Sequence, residues 1–137
     1  MTIAEDLKVE IDRLFSDEPD IRKAAAMRLG RIRDTKSVEA LIMAAQTDEN
    51  PITRIFAIQS LLWIGDDRAI EFLVNISLDD KDKSVRIAAI QAFAPFKDSR
   101  ILKVLEQLQQ SPDNEIAETA TQTFRLIIYG HNNYPTD

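Results

Sequence analysis

The sequence predicts an all-α fold, a right-handed α–α superhelix (solenoid) of about four helix pairs with capping helices at both ends. Three observations predict it. The segment Ile21–Asp34, IRKAAAMRLGRIRD, returns 32 residues later as Thr53–Asp66, TRIFAIQSLLWIGD, and 32 later again as Val85–Asp98, VRIAAIQAFAPFKD. A shorter fourth copy starts at Ile116, after a step of 31. The copies agree column by column: Arg22, Arg54 and Arg86; Ala25, Ala57 and Ala89; Leu29, Leu61 and Phe93; Ile32, Ile64 and Phe96; Asp34, Asp66 and Asp98. A period in this range marks a repeat architecture whose units bury their apolar faces only against neighbours. Finally, 3 glycines and 5 prolines in 137 residues suit a chain that is nearly all helix.

The elements follow in order. Residues 3–15 read as an amphipathic helix, with Ile3, Leu7, Ile11 and Leu14 at helical spacing. With no preceding partner, residues 1–16 are expected to cap the N-terminal end. Ser16-Asp17-Glu18-Pro19 supplies an N-cap and an acidic first turn to the first A helix, about 19–31. A tight turn around the glycine or proline follows, and Asp34 is placed to cap a B helix over about 35–46. The B helices share an apolar stripe: Ser37, Val38, Leu41 and Ala44; then Ala69, Ile70, Leu73 and Ile76; then Ile101, Leu102, Leu105 and Leu108. Short acidic loops at 47–51, 79–83 and 111–114 end each unit. The last helix, about 113–129, carries Ile116, Ala120, Phe124 and Ile127 on one face and has no B helix after it. The expected organisation is therefore one domain over 1–130. Its repeats fall at about 18–48, 49–80, 81–112 and, in part, 113–130, and a flexible tail covers 131–137.

Composition narrows the function classes. Hydrophobic residues make up 45% and charged residues 29%, which is globular rather than disordered. Zero cysteines removes disulfides, thiolate metal sites and thiol nucleophiles. A net charge of −6 disfavours nucleic acid and anionic membranes. The N-terminus has no apolar signal core, and no apolar run approaches the roughly 18 residues of a membrane span. A cytoplasmic protein is the expectation. The sole histidine, His131, lies in the tail, and no glycine-rich phosphate loop is present. The residues thus offer no catalytic set, no metal site and no cofactor site.

This pattern resembles the HEAT-repeat α-solenoids, and among them the short-repeat phycobilisome-lyase-like proteins, whose units read roughly VRxxAAxxLGxxxDxxAxxxL. The likeness covers about residues 18–130. The glycine pattern departs from it: Gly30 sits in LGRIRD, Gly65 is displaced in LLWIGD, and the third copy has Pro95 instead. The resemblance implies a structural ladder in which Arg22, Arg54 and Arg86 meet Asp34, Asp66 and Asp98 of adjacent units. Ala117 and Tyr129 occupy those columns in the fourth copy, where the ladder should stop. It also implies one possible activity, bilin lyase or lyase-like handling of a phycobiliprotein. HEAT-like DNA glycosylases with a basic groove are a further relative, disfavoured here by charge. The di-iron HEAT enzymes need His-Glu pairs, which this chain lacks.

The remaining signal lies in residues that break their columns. B helices of such a solenoid line its concave face, the usual binding surface. Lys36, Arg68 and Arg100 share the first turn of successive B helices and form a basic stripe. In the central repeat Arg68, Glu71, Phe72 and Asn75 place an aromatic among polar neighbours, the composition of a protein-binding patch. Trp63 stands where the other copies have Arg31 and Pro95. It is either a binding hot spot or a ring laid flat across the next repeat. The expected function is a non-enzymatic adaptor that binds another protein through Trp63, Arg68, Glu71, Phe72, Asn75, Lys36 and Arg100.

Overall fold

Helix starts are set by residues that satisfy the free N–H groups of the first turn. Asn50 accepts from Ile52 N at 2.9 Å and precedes Pro51, which opens a helix without losing a needed donor. Asp113 accepts from Glu115 N and Ile116 N at 3.0 and 3.2 Å. The computed structural model describes residues 2–130, and among them every regular element is helical: α1 Ile3–Arg13, α2 Pro19–Ile32, α3 Val38–Thr47, α4 Pro51–Ile64, α5 Ile70–Asp79, α6 Lys83–Gln91, α7 Ser99–Leu108 and α8 Asn114–Tyr129. One 3₁₀ turn precedes α3 (Thr35–Ser37) and another precedes α5 (Asp67–Ala69). His131 and the expected tail lie outside the described residues. Ser16 differs from expectation: its Oγ accepts from Glu18 N at 3.1 Å, and Glu18 is the N-cap residue of α2. No described helix is long and apolar enough to cross a membrane.

The helices pack in series as a repeat solenoid. In one layer α2 lies on α4, α4 on α6 and α6 on α8; in the other α3 lies on α5 and α5 on α7. Between layers α1 packs on α2, α3 on α4, α5 on α6 and α7 on α8. Each B helix is thus mated with the A helix that follows it, across loops as short as 48–50 and 80–82. The chain is built as four antiparallel hairpins. The end helices α1 and α8 each have a hairpin partner, so both are structural members of the stack. The core runs between the layers, where Leu29, Leu41, Ile58, Leu61, Ile70, Leu73, Ile90, Phe93, Ile101 and Leu105 are fully buried. The expected B-helix stripe is buried through Ser37, Val38, Leu41 and Ala44 and again through Ala69, Ile70, Leu73 and Ile76. In the third copy Leu102 and Leu108 are half-buried, and Val104 takes an inner place beside Ile101 and Leu105.

An arginine ladder stitches the hairpin loops together, with partners other than those expected. Arg22 Nε donates to Asp48 Oδ2 at 2.8 Å, and its Nη1 reaches back to the Ser16 carbonyl at 3.0 Å. Arg54 Nε donates to Asp80 Oδ2 at 3.0 Å, its Nη1 to the Asp48 carbonyl at 2.7 Å, and its Nη2 to Asp82 Oδ2 at 2.8 Å. Arg86 Nη1 donates to the Asp80 carbonyl at 2.7 Å. The Arg22 and Arg54 guanidiniums therefore each join their own hairpin loop to the next one. Asp34, Asp66 and Asp98 lie at the opposite ends of the A helices and do not enter the ladder. Asp34 accepts from Lys36 N at 2.9 Å, Asp66 from Arg68 N at 2.9 Å and Asp98 from Arg100 N at 2.8 Å, so all three cap the B elements. The ladder's carboxylate column is Ser16, Asp48, Asp80 and Pro112. Proline has no carboxylate, so Arg86 keeps the carbonyl and lacks the acid. Lys83 substitutes for the missing rung, with Nζ 3.0 Å from both Asp113 and Glu115 at the start of α8. Those two partners raise the Lys83 pKa, Asp113 first.

Gly30 and the αL turn are separate features. Gly30 is buried inside α2, where it lets α4 approach closely. A Cβ built on it would overlap Ser60 Oγ and stand 2.7 Å from Trp63 Cε3. Ser60 Oγ uses the space to donate to the Ala26 carbonyl. The left-handed turn after α2 and α4 falls three residues later in the repeat, on Arg33 (φ 57°) and Gly65 (φ 67°). Pro95 shortens the third A helix. With no N–H of its own and a bias of the preceding residue away from α, it ends α6 at Gln91. The segment after it folds as i→i+3 turns that bury Phe93 and Phe96.

Two outcomes follow from these contacts. Arg54→Met leaves the buried Asp80 carboxylate unpaired and should cost about 3–5 kcal/mol in urea unfolding, whereas Arg86→Met should cost only about 1 kcal/mol. Gly30→Ala should destabilise by about 1–3 kcal/mol through overpacking and shift the emission of Trp63, the only tryptophan. Unchanged emission in a destabilised variant would show that the ring does not rest on Gly30.

Candidate binding groove

A groove of about 750 Å³ runs along α3, α5 and the start of α7. Its lining comprises Glu39, Ile42, Met43, Gln46 and Thr47 from α3, Asp67 and Arg68 from the 3₁₀ turn, Glu71 and Phe72 from α5, and Arg100 from α7. Helical spacing explains the set. Glu39, Ile42, Met43 and Gln46 recur on one side of α3, opposite the buried Leu41 and Ala45. Phe72 is half-buried and packs on the core with its other face, while Met43 is 55% exposed. Met43 stands in a column that holds Asn75 and Gln107 elsewhere. An adaptable thioether beside an anchored ring makes an apolar floor.

The rim is charged, and its arginines are already engaged. Arg68 Nε and Nη2 fork onto Asp66 at 3.1 and 3.0 Å, and Nη2 also donates to the Thr35 carbonyl at 2.9 Å. Arg100 forks onto Asp98 in the same way, at 3.0 and 2.9 Å. The same aspartates cap their helices, so a single residue fixes both the helix start and the guanidinium. The Arg68 side chain, then its backbone N–H, holds Asp66 below the usual carboxylate range; Arg100 does the same to Asp98. Lys36 belongs to the same column, but it has no fork geometry and makes no ion pair among the described residues. The expected basic stripe is therefore two locally neutralised forks and one exposed lysine.

Of the seven residues expected to contact a partner, the groove gathers four: Arg68, Glu71, Phe72 and Arg100. Asn75 lines an adjoining shallow depression with Gln46, Ile76, Asp79 and Asp80. Lys36 stands outside both. Trp63 lies on α4, in the other layer, 42% exposed with its ring over Gly30 of the neighbouring hairpin. Phe56 and Ile55 on the same helix are half-buried against the core. The other six lining residues, Glu39, Ile42, Met43, Gln46, Thr47 and Asp67, were not among the contacts expected from sequence. The readable signal was Met43, an apolar exception beside the Phe72 column. Among the described residues no group of His, Cys, Asp and Glu could hold a metal ion.

The fork makes a testable electrostatic claim. Asp66 has its pKa depressed in the fold, so its contribution to stability is present above the ordinary carboxylate range and lost as pH falls through the folded value. Arg68→Leu should raise the Asp66 titration midpoint in carboxyl NMR. The melting-temperature gap to wild type should be open at neutral pH and close below about pH 4.

Comparison with known proteins agrees with this architecture. A family model described as HEAT repeats matches residues 7–94, more than half of the chain, from within α1 to just past the end of α6. No curated protein matches the chain.

Proposed function

The chain belongs to the HEAT-repeat family, and from that premise we propose that it is a non-enzymatic interaction module whose concave, B-helix face holds a segment of another protein. HEAT repeats commonly mediate protein–protein interaction. One observation carries the assignment to this face: the groove has an apolar floor of Ile42, Met43 and Phe72 inside a rim of charged side chains. That arrangement, an apolar centre with a polar border, is the anatomy of a protein interface. The ladder and caps hold the groove's walls in place before any partner arrives, which lowers the ordering cost of binding.

Met43 is the residue to change, because it is exposed and its substitution disturbs no buried contact. Met43→Glu places a charge on the groove floor and should abolish capture of a partner retained by the wild type, with an unchanged melting temperature. Trp63→Ala should leave capture intact if the groove alone holds the partner. Loss of capture with Trp63→Ala but not Met43→Glu would move the binding surface to the A-helix layer.

A further inference from the structure

The charge pattern of the groove identifies the chemistry of its occupant, on the reading that the groove is the binding surface. Five ionisable side chains line it: Glu39, Asp67, Glu71, Arg68 and Arg100. The two cations are spoken for. Arg68 spends its Nε and Nη2 donors on Asp66 and the Thr35 carbonyl, and Arg100 spends the same pair on Asp98. A partner carboxylate arriving here finds the Nε–Nη2 edge of each guanidinium already held by a capping aspartate, and only the Nη1 side open. The three lining carboxylates are in the opposite state. Glu39 meets Arg68 only at 3.8 Å and is 86% exposed, and Asp67 and Glu71 form no ion pair among the described residues. Lys36 and Lys103 face solvent on the same B elements, and neither lines the groove. Counting each fork as neutral, the lining presents three carboxylates, of which Glu39 has only the long contact to Arg68, and Asp67 and Glu71 feel Arg100 at a distance without an ion pair.

We propose that the groove receives a cationic, apolar-anchored protein segment: one large aliphatic or aromatic side chain seated on Met43 and Phe72, flanked by lysine or arginine residues that meet Glu39, Asp67 and Glu71. The anchor supplies the desolvated contact and the flanking cations supply selectivity and fast, salt-dependent encounter. The forks disfavour acidic segments, because the bidentate edge of each guanidinium is already occupied by Asp66 or Asp98 and a second carboxylate there meets like charge.

The test uses the full chain and three fluorescein-labelled peptides of about 12 residues with identical leucine positions, matched to a helix-in-groove spacing. Their remaining positions are lysine, glutamate or serine. The lysine peptide should bind at least about tenfold more tightly than the glutamate peptide at low salt, with the gap shrinking as salt rises. The triple variant Glu39→Gln, Asp67→Asn, Glu71→Gln should erase that gap while keeping serine-peptide binding, and Met43→Glu should weaken all three peptides. Equal or reversed preference, with Met43→Glu still weakening binding, overturns the charge assignment and leaves the groove as the binding surface. Binding of all peptides unaffected by Met43→Glu, or no binding by any, overturns both. A chain that proves to be a dimer whose contact is broken by Met43→Glu would show that a second copy fills the groove, and would also overturn the proposal.

Discussion

The stack depends on a row of arginines whose charge is used twice. Arg54 is almost wholly buried, with its side chain 3% exposed and that of Asp80 8% exposed. Burying such a pair is worthwhile only when nearly every donor and acceptor is engaged. Here Asp48 and Asp80 each accept a guanidinium from the hairpin before and offer their carbonyl to the arginine of their own hairpin. Each rung therefore fixes the loop that supplies the next rung. The short loops that leave backbone carbonyls unsatisfied are also the ones the ladder satisfies, which lets three residues turn the chain between antiparallel helices.

The hairpins are alike in plan and differ where they meet. Between the first two, Gly30 removes a side chain so that Ser60 and Trp63 can close on α2. Further along, Pro95 cuts α6 short, and Phe93 and Phe96 fill the volume that a longer helix would occupy. At the opposite end of α6 Pro112 removes the ladder's acid, and Lys83 restores a cross-link from the helix start, exposed rather than buried. The last two hairpins are thus held by a weaker, solvent-screened clamp than the first three.

Opposite the ladder, the capping aspartates decide how the groove looks to a partner. The same Asp-x-Arg spacing that starts α5 and α7 folds each arginine back on its own cap. This changes the electrostatic meaning of a column that reads as basic in one dimension. The apolar floor has a related origin: Met43 and Phe72 occupy outward positions on adjacent B helices, where the other copies are polar or small.

The period, the helices and the inward stripe were legible in the chain, because each rests on spacing alone. A 32-residue repeat of Arg, Ala, Leu and Asp columns determines unit length and helical content. The alternation of apolar residues determines which faces turn inward. The phase was not legible: a period has no origin, and only contact between α3 and α4, or α5 and α6, shows that each B helix mates with the A helix after it. Nor were the ladder's partners, since Asp34 and Asp48 are both columnar aspartates and only the direction of the A helix decides which end Arg22 faces. The groove is a product of the same placement. Sequence determined that Met43, Phe72 and Glu71 would lie on outward faces. Tertiary structure alone brought them from separate helices to one wall, because side-chain neighbours across a stack are set by helix packing and not by distance along the chain.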